Sequence, residues 1–119
     1  GDGYLAYFSG HGHAQRAFDA AKQACRVLKD TSLLATLNTG AVYLGAIGHP
    51  DYSKPDILGN AVNTAFLMNH WATKENAASL ILSESTWTQI TSEKIRSETS
   101  HAPIGGKGEK VVLHSIFVN

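Results

Sequence analysis

The hydrophobic rhythm of the chain changes several times along its length. Residues 4–8, Tyr-Leu-Ala-Tyr-Phe, form a short apolar run closed by Ser9-Gly10, the pattern of a buried strand entering a turn. Ala17, Phe18, Ala21, Ala24, Cys25 and Leu28 then recur at the spacing of one helical face. Gln15, Arg16, Asp19, Lys22, Gln23 and Arg26 fill the other, which predicts an amphipathic helix of about four turns. Residues 33–37 and 41–47 are two apolar runs separated by Asn38-Thr39-Gly40, a sequence suited to a tight reversal, and they predict a hairpin. Residues 48–55 hold Gly, Pro, Asp and Ser and predict a surface loop.

From Asn60 to about Trp71 the apolar positions Ala61, Val62, Ala65, Phe66 and Met68 run without proline or glycine, predicting a half-buried helix after Gly59. Residues 79–82 predict a strand, and Ser83 a cap for a short helix reaching Ile90. Residues 91–101 are polar and weakly patterned. A turn built on Gly105, Gly106 and Gly108 leads into a last strand over 111–118. This order of elements predicts an α+β fold, an antiparallel-rich sheet with helices on one side, in a single unit covering residues 1–119.

Composition narrows the function classes. With 119 residues, 43% of them hydrophobic, the chain can bury one modest core. Ten basic residues balance ten acidic ones, so no surplus charge draws it to nucleic acid or to an anionic membrane surface. The single cysteine, Cys25, allows no internal disulfide and falls on the apolar stripe of the first helix, where a packed thiol is expected. The apolar runs are strand-sized, no signal peptide is expected, and a cytoplasmic setting follows by default.

The chemistry sits in three places. Asp2, beside glycines at the start of a strand, offers a hard oxygen ligand suited to a divalent cation. By itself a Gly-Asp pair is more often an exposed turn. TGAVYLGAIG (residues 39–48) and DILGNAVNTAFLM (residues 56–68) add a dense set of placed residues. Together with GDGYLAYF at the start, LILSESTW (80–87) and GKGEKVVLHSIFV (106–118), they resemble class III adenylyl and guanylyl cyclase catalytic domains. The matching positions are Thr39, Gly40, Gly45, Ile47 and Gly48, then Asp56, Ile57, Gly59, Val62, Asn63, Ala65 and Met68. The resemblance is weakest over residues 10–35 and 91–104.

The resemblance implies a ferredoxin-like cyclase fold without its N-terminal elements, and the conversion of a nucleoside triphosphate to a cyclic monophosphate and pyrophosphate. It implies two Mg²⁺ or Mn²⁺ ions, with Asp2 at the position of one of the two metal-binding aspartates and the other upstream of this chain. Asp56 stands where the purine is contacted, and a carboxylate there goes with adenine, so ATP is favoured over GTP. Asn63 stands where the ribose is positioned. Lys107 is the candidate for gripping the triphosphate, although a second alignment of the same turn puts Gly105 at the lysine position.

One departure stands out. Four residues after Asn63 the family has an arginine that meets charge developing on the phosphate, and here the residue is Leu67. His70, three residues further, lies on nearly the same helical face but is a weak substitute. Family sites form between two domains, so the resemblance implies a homodimer or pairing with another cyclase domain, and a regulatory domain elsewhere in the parent protein. Leu67 keeps open a second reading, a degenerate cyclase-like module for dimerisation or nucleotide sensing, and no turnover is expected of the 119-residue chain alone. Two other patterns carry less. Gly10-His11-Gly12-His13 precedes a helix, but Gln15 replaces the third glycine of a dinucleotide loop, and no cysteine or carboxylate cluster joins the histidines.

Overall fold

The computed structural model describes residues 4–28, 33–47, 54–75, 78–90 and 95–118. Among these residues three α-helices, α1 (His13–Val27), α2 (Asn60–Lys74) and α3 (Glu84–Trp87), are interspersed with six strands. These are β1 (Ala35–Leu37), β2 (Tyr43–Ile47), β3 (Lys54–Leu58), β4 (Leu80–Ser83), β5 (Ser97–Ala102) and β6 (Val111–Ile116). Four strands form one sheet in the order β1-β4-β6-β5, and β2 and β3 form a separate antiparallel pair. Within the larger sheet β1 and β4 are parallel, while β6 runs antiparallel to both β4 and β5.

The core explains why β4 lacks alternation. All four of its residues are buried, which requires cover on both faces of the sheet. Leu80 and Leu82 pack with Phe18 and Cys25 of α1 and with Ile116. Ile81 points the other way, into a second cluster with Met68 and Ala72 of α2, Ala102 and Leu113. The fold is the expected α+β, a four-stranded sheet with helices packed on it, but α1 and α2 lie on opposite faces rather than on one. The period-two alternation of β1, β4 and β6 divides their side chains between the helices. Full burial of a side chain such as Phe18 or Leu82 contributes about 1.5–3 kcal/mol each, so the two clusters carry much of the stability.

α1 forms where the periodicity predicts it. Ala14, Phe18 and Cys25 are its buried positions, and it starts after Gly12 in a left-handed conformation with no side-chain cap. Arg16 instead reaches back to donate to the carbonyl oxygens of Ser9 and His11. Residues 4–8 depart from expectation: they form no strand, and Tyr4, Leu5, Tyr7 and Phe8 are all exposed. An apolar run calls for cover, but strand geometry needs a neighbouring ladder, and among the described residues nothing pairs with it.

The predicted hairpin over residues 33–47 is also corrected. β1 pairs with β4, in register Ala35 with Leu80, and β2 pairs with β3, Tyr43 with Leu58. The Asn38-Thr39-Gly40 segment carries the chain from one sheet to the other. β3 starts within the predicted loop, at Lys54 and Pro55, and runs beyond it to Leu58; it was not expected because Pro55 and Asp56 are poor strand formers, and Pro55 is tolerated on a strand whose described partner is β2 alone. Residues 48–53 lie outside the described residues. β5, Ser-Glu-Thr-Ser-His-Ala, was likewise not expected from its polar sequence. It is an edge strand whose charged and polar side chains suit an open border, and β6 supplies the ladder.

Candidate functional site

The segment that carries most of the candidate chemistry is continuous. β3 ends at Leu58, Gly59 turns the chain at φ 138, and α2 begins at Asn60. A Cβ at Gly59 would sit 2.9 Å from the carbonyl oxygen of Ala41, so only glycine lets β3 enter the helix this close to β2. Asp56 lies on β3 opposite Gly45 in register. Asn63 falls in the first turn of α2, its amide donating to the Gly59 carbonyl at 3.1 Å, and its side chain is exposed.

Val62, Met68 and Ala72 are buried, and Asn63, Phe66, Leu67 and His70 form the exposed stripe on the outward side of α2. Phe66 and Leu67 make this stripe apolar, and Leu67 is 47% exposed. Leu67 offers neither charge nor hydrogen bond, and His70 is exposed further along the stripe.

Lys107 sits in a single 3-10 turn, Gly106–Gly108, between β5 and β6. Its φ is 59, in the left-handed region that non-glycine residues seldom occupy. Gly105 is the more constrained position: a Cβ there would lie 2.8 Å from the Glu109 carbonyl oxygen. A side chain does not fit at 105 in this turn, whereas Lys107 is exposed in it.

Strand directions place these parts at one end of the sheet. β1 and β4 are parallel and β6 is antiparallel, so the ends of β1 and β4 and the turn entering β6 share one border. Asn38, just beyond β1, contacts the first turn of α2 there. The Lys107 turn precedes β6, two strands across the sheet from β1. The structure thus brings Asp56's strand and Asn63's helix together, and puts Lys107 at the same end but across the sheet. Asp2 lies outside the described residues. Among the described residues no group of three or more His, Cys, Asp or Glu side chains is placed to hold a metal ion.

A polar network that the sequence did not announce underlies this border. Thr39 and Thr86 share a hydrogen bond of 2.8 Å between hydroxyls, and Thr86 also donates to the Leu37 carbonyl at 3.4 Å. Ser83 caps α3 by accepting from the Thr86 amide at 3.3 Å. Ser85 donates to the Thr39 carbonyl at 3.1 Å. The residues expected to make a hairpin turn are thus tied to α3. Nothing local distinguishes such a tie from an ordinary Asn-Thr-Gly turn.

His114 is a second buried polar group, on the α1 side of β6. It stacks on Trp87 with ring centroids 4.5 Å apart, and its Nε2 lies 3.2 Å from Glu84. It is remote in chain and in face from the α2 stripe. No helix among the described residues is long and apolar enough to cross a membrane.

No protein-family model matches the sequence, and no curated protein matches it. Solved structures do. The catalytic core of a rhodopsin-guanylyl cyclase with converted specificity, in complex with ATPalphaS, superposes at TM-score 0.66 and 23% identity over 92% of this chain and 61% of that one. The guanylate cyclase domain of RhGC from Catenaria anguillulae, in complex with GTP, gives 0.66 and 20% identity over 92% and 62%. A bacterial light-regulated adenylyl cyclase gives 0.65 and 15% identity, with 88% of this chain covering 33% of the other. The chain spans less than two thirds of the length of each. The fold of this chain is shared with these guanylyl and adenylyl cyclase catalytic domains.

Proposed function

We propose that this chain contributes the base- and ribose-facing half of a nucleotidyl cyclase site that converts ATP to cyclic AMP and pyrophosphate in cytoplasmic signalling. The observation that carries the reading is the likeness of fold over 92% of the chain to cyclase domains bound to ATPalphaS and GTP. DILGNAVN runs through β3 into the first turn of α2, where Asn63 is exposed.

In this reading Asp56 accepts a hydrogen bond from the exocyclic amine of adenine. Asn63 orients the ribose, so that its 3′ oxygen stands in line with the α-phosphorus. Lys107 meets the triphosphate. The 3′ oxygen forms a bond to the α-phosphorus, the bond from that phosphorus to the bridging oxygen breaks, and the hydroxyl proton leaves to solvent. Asp2 is the candidate ligand for Mg²⁺ or Mn²⁺, and no step is assigned to a metal on the described residues. A second cyclase domain, either another copy or an unlike chain, faces the α2 stripe and completes the site.

Leu67 favours a second reading. Exposed where the resemblance puts an arginine, it removes a charge-stabilising contact of the kind worth about 3–4 kcal/mol in oxyanion sites. A module that binds nucleotide or a second domain without turnover would tolerate it. The deciding experiment incubates the full-length parent protein, and separately this chain, with ATP or GTP and Mg²⁺ or Mn²⁺, with product identified by mass spectrometry. Cyclic AMP that disappears in Asp56→Ala and Asn63→Ala supports the cyclase reading. Nucleotide binding with no product from the parent supports the second. Absence of both binding and product sinks the two together.

A further inference from the structure

The exposed stripe of α2 has a rear side, and two polar residues of the β1 segment hold it. The Thr36 hydroxyl donates to the Ala65 carbonyl at 3.1 Å, and the Asn38 side-chain amide donates to the Ala61 carbonyl at 2.9 Å. Ala35 and Leu37 point to the α1 cluster, so Thr36 and Asn38 alternate with them toward α2.

The spacing is a geometric match. Two residues of extended chain advance about 6.6 Å, and four residues of helix about 6 Å. A two-residue step along β1 therefore meets a four-residue step along α2 without strain. Ala61 and Ala65 already accept the bonds of the helix itself, and each carbonyl oxygen has a second lone pair for the outside donor. The rungs thus add to the helix rather than compete with it.

A single rung would leave α2 free to turn about it. Two, one helical turn apart, set both its rotation and its position along its axis. The Asn38 rung is backed. The Ser85 hydroxyl, shared between the Thr39 carbonyl at 3.1 Å and the Asn38 side-chain oxygen at 3.3 Å, favours the amide orientation with the donor toward Ala61. At Gly40 a Cβ would sit 2.9 Å from the Cβ of Ala61, so the chain leaving the ladder rests directly on the same turn of helix. Asn63 lies between the two gripped residues and projects from the other side of the helix.

We infer that Thr36 and Asn38 are positioning residues. Through a two-rung ladder to Ala65 and Ala61 they set the rotation of α2 and so the direction in which Asn63 meets the ribose. The consequence for turnover rests on the cyclase reading above, whereas the placement of Asn63 does not.

The test uses the full-length protein with Thr36→Val, which keeps the shape and drops the hydroxyl, Thr36→Ser, which restores it, and Asn38→Asp, which replaces the donor with an oxygen facing a carbonyl. Placement is read from the ¹⁵N resonances of the Asn63 side-chain amide and of the Ala61 and Ala65 backbone. These are expected to move in Thr36→Val and return in Thr36→Ser, while those of Leu113 stay. Turnover is expected to fall about tenfold in Thr36→Val, as a misaligned reactant would require. In an Asn63→Ala background the same substitution should cost almost nothing further. Asn63 resonances unchanged in both Thr36→Val and Asn38→Asp would overturn the ladder, as would losses from Thr36→Val and Asn63→Ala that multiply in full. Should Asn38→Asp fail to fold, the Thr36 pair decides alone. Displaced Asn63 resonances in a protein whose wild type makes no cyclic nucleotide would uphold the ladder and reject the cyclase reading.

Discussion

Leu67 stands one helical turn beyond Asn63 on the outward side of α2, and both side chains are open to solvent. A residue so placed bears on whatever faces α2 and little on the core beneath it. Leu67→Arg is therefore expected to change stability by no more than about 0.5 kcal/mol. In the cyclase reading it raises product formation on the order of 100-fold by restoring a donor to the developing charge. A cyclic nucleotide assay beside a urea titration checks both, and an unchanged rate in a stably folded variant would mean that the arginine is supplied elsewhere or that the site does not turn over.

Lys107 occupies a left-handed backbone conformation between two glycines. Such a conformation costs a side-chain-bearing residue roughly 1–2 kcal/mol, part of which glycine regains. Lys107→Gly is expected to raise the melting temperature slightly while weakening the binding of a nucleoside triphosphate. Calorimetry with a non-hydrolysable analogue measures the second effect. A stabilised variant with full affinity would leave Lys107 as a solvated turn residue.

Gly105 has no such freedom. Its absent Cβ would press on the Glu109 carbonyl and come within 3.2 Å of a Val111 methyl. Gly105→Ala is expected to cost about 1–3 kcal/mol as an overpacked site, read as a lower urea midpoint with an unchanged slope.

Cys25 gives a dependence on pH. Burial against Phe18, Leu80 and Leu82 disfavours the thiolate and pushes the thiol's pKa up. Above the ordinary thiol value, near ~8.5, the unfolded chain has released a proton that the folded protein keeps. Stability then falls as pH rises. The contribution is whole below the unfolded pKa and is lost as pH climbs through the folded one. Urea titrations from neutral to alkaline pH should show wild type losing stability faster than Cys25→Ala, and iodoacetamide should react slowly with the folded protein. Parallel pH profiles for the two proteins would remove the thiol as the cause.

The sequence carried α1, α2, β4 and β6 because each announces itself locally. α1 has a helical stripe, α2 has one following Gly59, β4 has an unbroken apolar run, and β6 has a glycine-rich turn before it. It missed β3 and β5 because Pro55, Asp56, Glu98 and Ser100 argue against a strand from within. Only the ladders offered by β2 and β6 make strands of them.

By itself the sequence determined the presence of the helices, the core role of Cys25, and the resemblance through Asp56 and Asn63 that points to nucleotide chemistry. These are properties of spacing along one chain. Tertiary structure decided which partner each strand takes, that α1 and α2 lie on opposite faces of the sheet, that Gly105 has no room for a lysine, and that Thr36 and Asn38 grip α2 from behind. Each of these depends on groups 20 or more residues apart meeting at contact distance, or on a turn closing on itself. Asn63 is legible in the chain, but the direction it faces is set by β1.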